Sequence, residues 1–350
     1  FGSSAMGETC STSSVCGHNS DAEITDRLSC VAVPQTQDEY DVPSTPNQGG
    51  KEQDCCKTHG SDPVAAGAPP PRPDVDGKGD RKTGYSLNYF ERECAELLAL
   101  PPSRTPPGQH AVFVFASGAV YDGQWVDNRR HGDGTQKWPD GAMYQGQWLE
   151  NRAHGLGRFL HVDGDSYVGE WRSNSAQGFG VYYYKNKTLF EGQWVDDRQQ
   201  GFGVERWREG SRYEGQFSAG KKEGYGVYSW PDGSVYEGSW LANKIHGPGR
   251  YVGNDGRRYN GQWQHSVMHG AGCYTWADGR KYEGQYVQDK KDGFGIFTWL
   301  DGRRYEGWWR DAKQHGQGRY FNRLGQARLA LWKDGKRECF LDEDGAAVAE

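Results

Sequence analysis

An aromatic residue returns every 23 residues along most of this chain: Tyr121, Tyr144, Tyr167, Phe190, Tyr213, Tyr236, Tyr259, Tyr282 and Tyr305. Two residues after each stands a glycine, from Gly123 to Gly307, and four after each stands a second aromatic, Trp in seven units and Phe217 or Tyr286 in the others. Glycine recurs again 11 and 13 residues on, from Gly132 and Gly134 to Gly316 and Gly318. Nine units in step without an insertion leave few folds open. A unit this short cannot bury a core of its own, so the units must stack into an array.

The period also dictates the local structure. In Tyr236-Glu237-Gly238-Ser239-Trp240 the aromatics and the glycine share one side and the polar residues the other, which is the alternation of a half-buried strand. A polar loop follows, Gly247-Pro248-Gly249 opens a second strand, and Asp255-Gly256 supplies a turn. The expected fold class is an all-β repeat array: an elongated antiparallel β-hairpin meander forming a single-layer ribbon, each unit advancing ~10 Å at ~4.8 Å per strand. Glycine is 51 of 350 residues and Ile only three, while aromatics make up 13%. Rings lying across glycines of the neighbouring strand explain that balance, since they cover bare backbone without a second aliphatic layer. Tyr144, Gly146 and Trp148, and Tyr236, Gly238, Trp240, Gly247 and Gly249, are the positions that express it.

Outside the array the composition changes. Residues 1–83 are rich in Ser, Pro and Cys, and residues 1–110 hold sixteen acidic against nine basic side chains. Such a tail cannot bury enough apolar surface to offset its chain entropy and is expected to be disordered. Residues 84–110 read as one short amphipathic helix, over about 86–100 with Ser86 as N-cap, and a Pro-rich linker. Its apolar stripe is Leu87, Phe90, Cys94, Leu97 and Leu98, and Pro101-Pro102 ends it. Residues 111–332 form the array and 333–350 an acidic C-terminal tail. No run reaches the ~20 apolar residues of a spanning helix. Eight cysteines without a C-x-x-C pair suit a reducing, cytoplasmic setting. A net charge of −6 gives no reason to expect nucleic acid.

Segments such as Tyr213-Glu214-Gly215-Gln216-Phe217 with Gly224-Tyr225-Gly226-Val227-Tyr228 resemble MORN repeats (membrane occupation and recognition nexus), over roughly 113–332. The resemblance implies a non-catalytic scaffold or tether joining membrane or cytoskeletal components, cytoplasmic and peripheral at membrane or cytoskeleton. Its alternatives are a purely structural axonemal or cytoskeletal part, and a regulatory arm related to phosphatidylinositol-phosphate kinases with no kinase domain in this chain. Protein partners are expected, with anionic phospholipid and a homodimer through the array as further possibilities.

Several motifs invite chemistry. The G-x-G pairs lack the third glycine of a phosphate loop and no helix follows them, so they read as turn and packing glycines. His131, His154, His246, His269 and His315 share one slot, but units ~10 Å apart cannot share a metal whose bonds are about 2 Å. Neither a catalytic site, a cofactor nor a metal is expected. Eight residues into seven units lies a cation: Arg129, Arg152, Arg198, Lys221, Lys244, Lys290 and Lys313. Arg130, Lys222 and Lys291 extend this stripe, and Arg257-Arg258, Arg280-Lys281 and Arg303-Arg304 line the opposite edge. The stripe reads either as a contact for anionic lipid or an acidic partner, or as solvated turn tips partly neutralised by Asp127, Glu150, Asp196 and Asp311. Met6-Gly7-Glu8-Thr9-Cys10-Ser11 fits acylation at Gly7 and Cys10, with Glu8 counting against it.

Overall fold

The computed structural model describes residues 89–101, 106–342 and 344–348. Gly7, Cys10, Ser86 and the tail assigned to residues 1–83 lie outside them. Twenty-two strands, from β1 (Gln109–Val114) to β22 (Ala347–Val348), make a single antiparallel sheet. Each strand pairs with its neighbours in sequence, so the sheet is a meander throughout. This is the all-β array that the period predicts.

One unit shows how residues set the geometry. Strand Val235–Leu241 pairs with Lys244–Val252, bringing Tyr236 opposite Tyr251, Gly238 opposite Gly249 and Trp240 opposite Ile245. Only Ala242 and Asn243 join the two strands, with φ of 47° and 68°. Positive φ at both central residues is the hairpin turn whose twist matches the strands. The polar loop expected as far as Gly247 is therefore shorter, and the second strand starts at Lys244. Between Gly238 and Trp240 the register slips, so Ser239 alone faces His246, Gly247 and Pro248. Gly247 takes the left-handed conformation of this bulge at φ 84°. Where the facing residue is Gln it closes the gap, as Gln216 does by accepting the Tyr225 amide at 2.9 Å.

The aromatic face is the core. Tyr236 is fully buried, and its hydroxyl donates to the Ser239 carbonyl at 3.0 Å. A methyl on Gly238 would stand 2.5 Å from both the Gly249 Cα and that hydroxyl, so the ring does lie on bare backbone. The Trp240 indole reaches back to the Gly226 carbonyl at 3.2 Å, in the preceding unit. Tyr236 meets Trp240 and Trp263 edge to face, each at 5.6 Å between centroids. Pairs of this kind contribute ~0.5–1.5 kcal/mol beyond their buried area.

The ends differ from expectation in two ways. Residues 336–341 and 347–348, read as part of an acidic tail, continue the sheet. Asp334 and Gly335 supply another two-residue turn of positive φ, and Phe340 pairs with the fully buried Ala330. The described part of the expected 86–100 helix is also interrupted. Residues 89–91 are helical, 92–93 form a turn, and α1 runs only Cys94–Ala99. Phe90 and Leu97 are buried, but Leu98 of the expected stripe is 80% exposed.

Candidate functional site

The seven offset-eight cations are not loop residues. Each is the first residue of a second strand, just after the two-residue turn, and all seven are exposed. Arg129 pairs with Glu150 at 3.2 Å and Lys290 with Asp311 at 2.9 Å. Arg152, Arg198, Lys221, Lys244 and Lys313 make no ion pair among the described residues. On the opposite edge the paired cations are largely neutralised next door: Arg257 by Asp255, Arg280 by Asp278, Lys281 by Glu283, Arg303 by Asp301 and Arg304 by Glu306.

Arg130, Lys222 and Lys291 do not extend the stripe. They point the other way, into the aromatic core, at 0%, 7% and 2% exposure. The cause is strand parity: the residue after an outward-facing cation must face inward. Lys222 finds Glu205 at 2.6 Å. Arg130 donates to Gln136 Oε1, to the Asn151 carbonyl and to the Phe90 carbonyl, each at 3.0 Å. Lys291 Nζ has no hydrogen-bond partner, and sits 4.7–5.2 Å from the ring centres of Trp309, Phe297 and Trp276. Burial, with Arg280 nearby, pulls its pKa down to about 7. The signal was legible: this slot also holds Ala153, Ala176, Ile245 and Met268, residues that belong inside.

Around Arg130 the array holds a segment of its own chain. Phe90 is fully buried, its ring 5.2–5.8 Å from Trp138, Tyr144, Trp148, Phe159 and Trp171. Tyr89 donates to Asp140 at 2.8 Å. Glu93 accepts from the Trp138 indole at 3.2 Å and from the Ser117 hydroxyl at 3.1 Å. Arg130 lies over Trp148 at 4.3 Å. Three successive units thus make a cradle for an aromatic residue, with a cation at its base for the main-chain carbonyl. The sequence showed an apolar stripe needing a surface, but not which units would receive it.

On the opposite face an apolar row is exposed: Leu156, Phe179, Phe202 and Tyr225, one per unit, at 46–53% exposure. Among the described residues no group of three His, Cys, Asp or Glu side chains is placed to hold a metal ion. None of their helices is long and apolar enough to cross a membrane.

Compared with known families, the chain matches the MORN repeat at residues 121–143, 144–166, 167–188, 190–212, 213–235, 236–257, 259–279, 282–302 and 305–322. Among curated proteins none matches. Among solved structures it is similar to the TCP10 domain of Danio rerio CPAP in complex with a peptide of Danio rerio STIL. That likeness has 14% identity and a TM-score of 0.37, covering 66% of this chain and 98% of that one. It is also similar to the SAS-4 (dCPAP) TCP domain of Drosophila melanogaster in complex with a proline-rich motif of Ana2 (dSTIL), at 14% identity and a TM-score of 0.30. There the coverage is 53% of this chain and 99% of that one. At such scores the likeness carries no functional argument.

Proposed function

This chain belongs to the MORN-repeat family, and we propose that it is a non-catalytic scaffold whose aromatic array face holds segments of partner proteins. The observation that carries this reading is the seating of Tyr89 and Phe90 in the cradle of Trp138, Tyr144, Trp148, Phe159 and Trp171. A face that buries one short segment, through rings, a cation and an indole donor, has the chemistry to bury others. The test is a photoreactive amino acid replacing Trp230, half-buried on this face, in the cell of origin. Cross-links from position 230 to a defined segment of another protein are expected. Their absence there, with capture elsewhere on the array, would remove the aromatic face as the binding surface. Lipid-kinase activity of the purified chain would overturn the non-catalytic part.

A second reading rests on the stripe of seven exposed cations, five without a carboxylate partner: it meets anionic lipid or an acidic surface at the membrane. A scaffold with both surfaces would tether a protein to a membrane. A cytoskeletal role without lipid is the outcome if the tagged protein resists detergent extraction and ignores vesicles. Self-association is assigned to the outer row of Leu156, Phe179, Phe202 and Tyr225, exposed apolar side chains that alternate with Glu170, Gln193 and Gln216 of the intervening strands. Sedimentation equilibrium of the chain and of a Phe179→Ser, Phe202→Ser variant tests it, with loss of dimer only in the variant as the expected result.

A further inference from the structure

We propose that the array carries a second docking site, built on Lys291, that takes a helical segment of a partner protein with the chemistry of Tyr89–Ala99: an aromatic residue, its carbonyl turned to a buried cation, and a carboxylate three residues on. The proposal rests on the protein-binding reading of the aromatic face and specifies one place on it.

The repeat makes the argument. Adding seven periods to the residues that hold Phe90 gives a second set at equivalent positions. Arg130 becomes Lys291, Trp138 becomes Trp299, Asp140 becomes Asp301, Tyr144 becomes Tyr305, Trp148 becomes Trp309, Phe159 becomes Tyr320 and Trp171 becomes Trp332. Each exchange keeps the chemical type: a cation stays a cation, three indoles stay indoles, two six-membered rings stay rings and an acid stays an acid. What differs is occupancy. Trp138, Phe159 and Trp171 are buried under the segment, whereas Trp299, Tyr320 and Trp332 are half-exposed.

The buried donor at the base of this second cradle, Lys291 Nζ, has no partner. Arg130 gets acceptors from Gln136, from the Asn151 carbonyl and from the docked Phe90 carbonyl, whereas Lys291 Nζ bonds neither the Ala312 carbonyl at the Asn151 position nor any other group. At the second site the Gln136 position is Phe297, which offers no acceptor, so the incoming segment must supply it. A buried donor left unpaired is costly, and a ligand carbonyl there relieves that cost. Burial, with Arg280 nearby, lowers the proton affinity of the Lys291 amine, which keeps N–H donors for that carbonyl whether charged or neutral. The same set recurs around Lys222, but there Glu205 already satisfies the cation, so no ligand acceptor is called for. The rim differs too. Where the first site has Ala119 and Ala142, the second has Arg280 and Arg303, lying over Trp276 and Trp299 at 5.7 and 5.6 Å. Each holds a neighbouring aspartate, Asp278 or Asp301. Paired in this way they leave the rim close to neutral.

The test uses the full chain and a fluorescent peptide with the sequence of residues 89–101, which presents this chemistry in trans while the first site keeps its own segment. Anisotropy should show saturable binding at one peptide per chain. Lys291→Met and Trp299→Ala should each weaken it by about tenfold or more, a peptide with Phe90→Ala should fail to bind, and Trp207→Ala should change nothing. Near-ultraviolet circular dichroism identifies a variant that has lost its packing, and the half-exposed Trp299 gives the safer variant. Absence of saturable binding, or binding that survives both Lys291→Met and Trp299→Ala, overturns the second site. Binding lost in Arg130→Met instead means exchange into the first cradle. That outcome defeats this proposal while leaving the general reading of the aromatic face standing, which the cross-linking at position 230 decides separately.

Discussion

The indole nitrogen of Trp148 donates to the carbonyl oxygen of Gly134, 3.1 Å away and in the preceding unit. The same bond recurs from Trp171 to Gly157, Trp194 to Gly180, Trp240 to Gly226, Trp263 to Gly249 and Trp309 to Gly295. The fourth position of the motif is therefore a rivet between units as well as a ring in the core. Its side chain must be long, flat and a donor, which is why Trp dominates. Units that carry Phe217 or Tyr286 there keep the ring and make no such indole bond.

Trp263→Phe keeps a ring at the site and deletes the donor to Gly249. The expected cost is about 1–2 kcal/mol, the net value of one hydrogen bond plus some lost packing. Urea titration followed by tryptophan fluorescence reads it, and an unchanged midpoint would show that these rivets contribute nothing.

Gly249 answers a different question, whether the ring on the backbone is a true steric partner. A methyl there would meet the Tyr236 ring carbons at 2.6 Å. Gly249→Ala should cost on the order of 1–3 kcal/mol, the range for overpacking, and Gly238→Val at least as much. Gly220 has open space around its Cβ direction, but its φ of 81° makes it a control for backbone strain instead. If Gly249→Ala melts with the parent protein, the paving account of the glycines is wrong.

The period, the hairpin within each unit and the inward ring face were all legible from residues 121–309, because strand alternation and turn chemistry are local. Two things were not. The turn is shorter than its residues suggest, since Ala242-Asn243 lacks the glycine that advertises a tight hairpin; φ of 47° and 68° is held by the paired strands on either side. The shorter turn sets the side-chain parity, so Arg130, Lys222 and Lys291, expected on the surface, are core residues. The cradle for Phe90 depends on which units the chain folds back upon, a long-range choice that no local pattern encodes.

Lys291 gives the array a pH dependence with a defined sign. Its amine titrates near 7 in the folded chain, because of burial first and Arg280 second, against 10.5 unperturbed. Below the folded value both states carry the proton and the full penalty of a buried charge is present. Between about 7 and 10 the unfolded chain still binds the proton while the folded one releases it, so stability rises with pH. The buried tyrosines Tyr282 and Tyr305 are raised above 10 mainly by burial, so they act in the opposite sense only at higher pH. Lys291→Met should remove the rise between pH 7 and 9.5 and stabilise the array at pH 6.5 by roughly 2–4 kcal/mol. Parallel urea midpoints for the two proteins across that window would show that this lysine is not held deprotonated.

The stripe of cations is the surface whose test separates a membrane tether from a purely structural array. Residues 111–332 carry 25 acidic and 29 basic side chains, so the array as a whole is close to neutral and any attraction must come from local alignment. Arg129 and Lys290 are already paired, which leaves Arg152, Arg198, Lys221, Lys244 and Lys313 as the effective contacts. Each contributes at most ~1 kcal/mol near an anionic surface, and the screening length shrinks from ~10 Å at 0.1 M salt to ~3 Å at 1 M. Vesicles containing phosphatidylserine should float the unmodified chain at low salt and release it at high salt. Gln at all seven positions should abolish flotation, whereas Gln at Arg129 and Lys290 alone should reduce it little. A chain acylated at Gly7 and Cys10 would stay bound at high salt, and Gly7→Ala would then release it, so the two modes separate in one experiment. If the chain fails to float at low salt, or floats equally without the seven cations, the stripe is solvated turn edge and the cytoskeletal reading takes precedence.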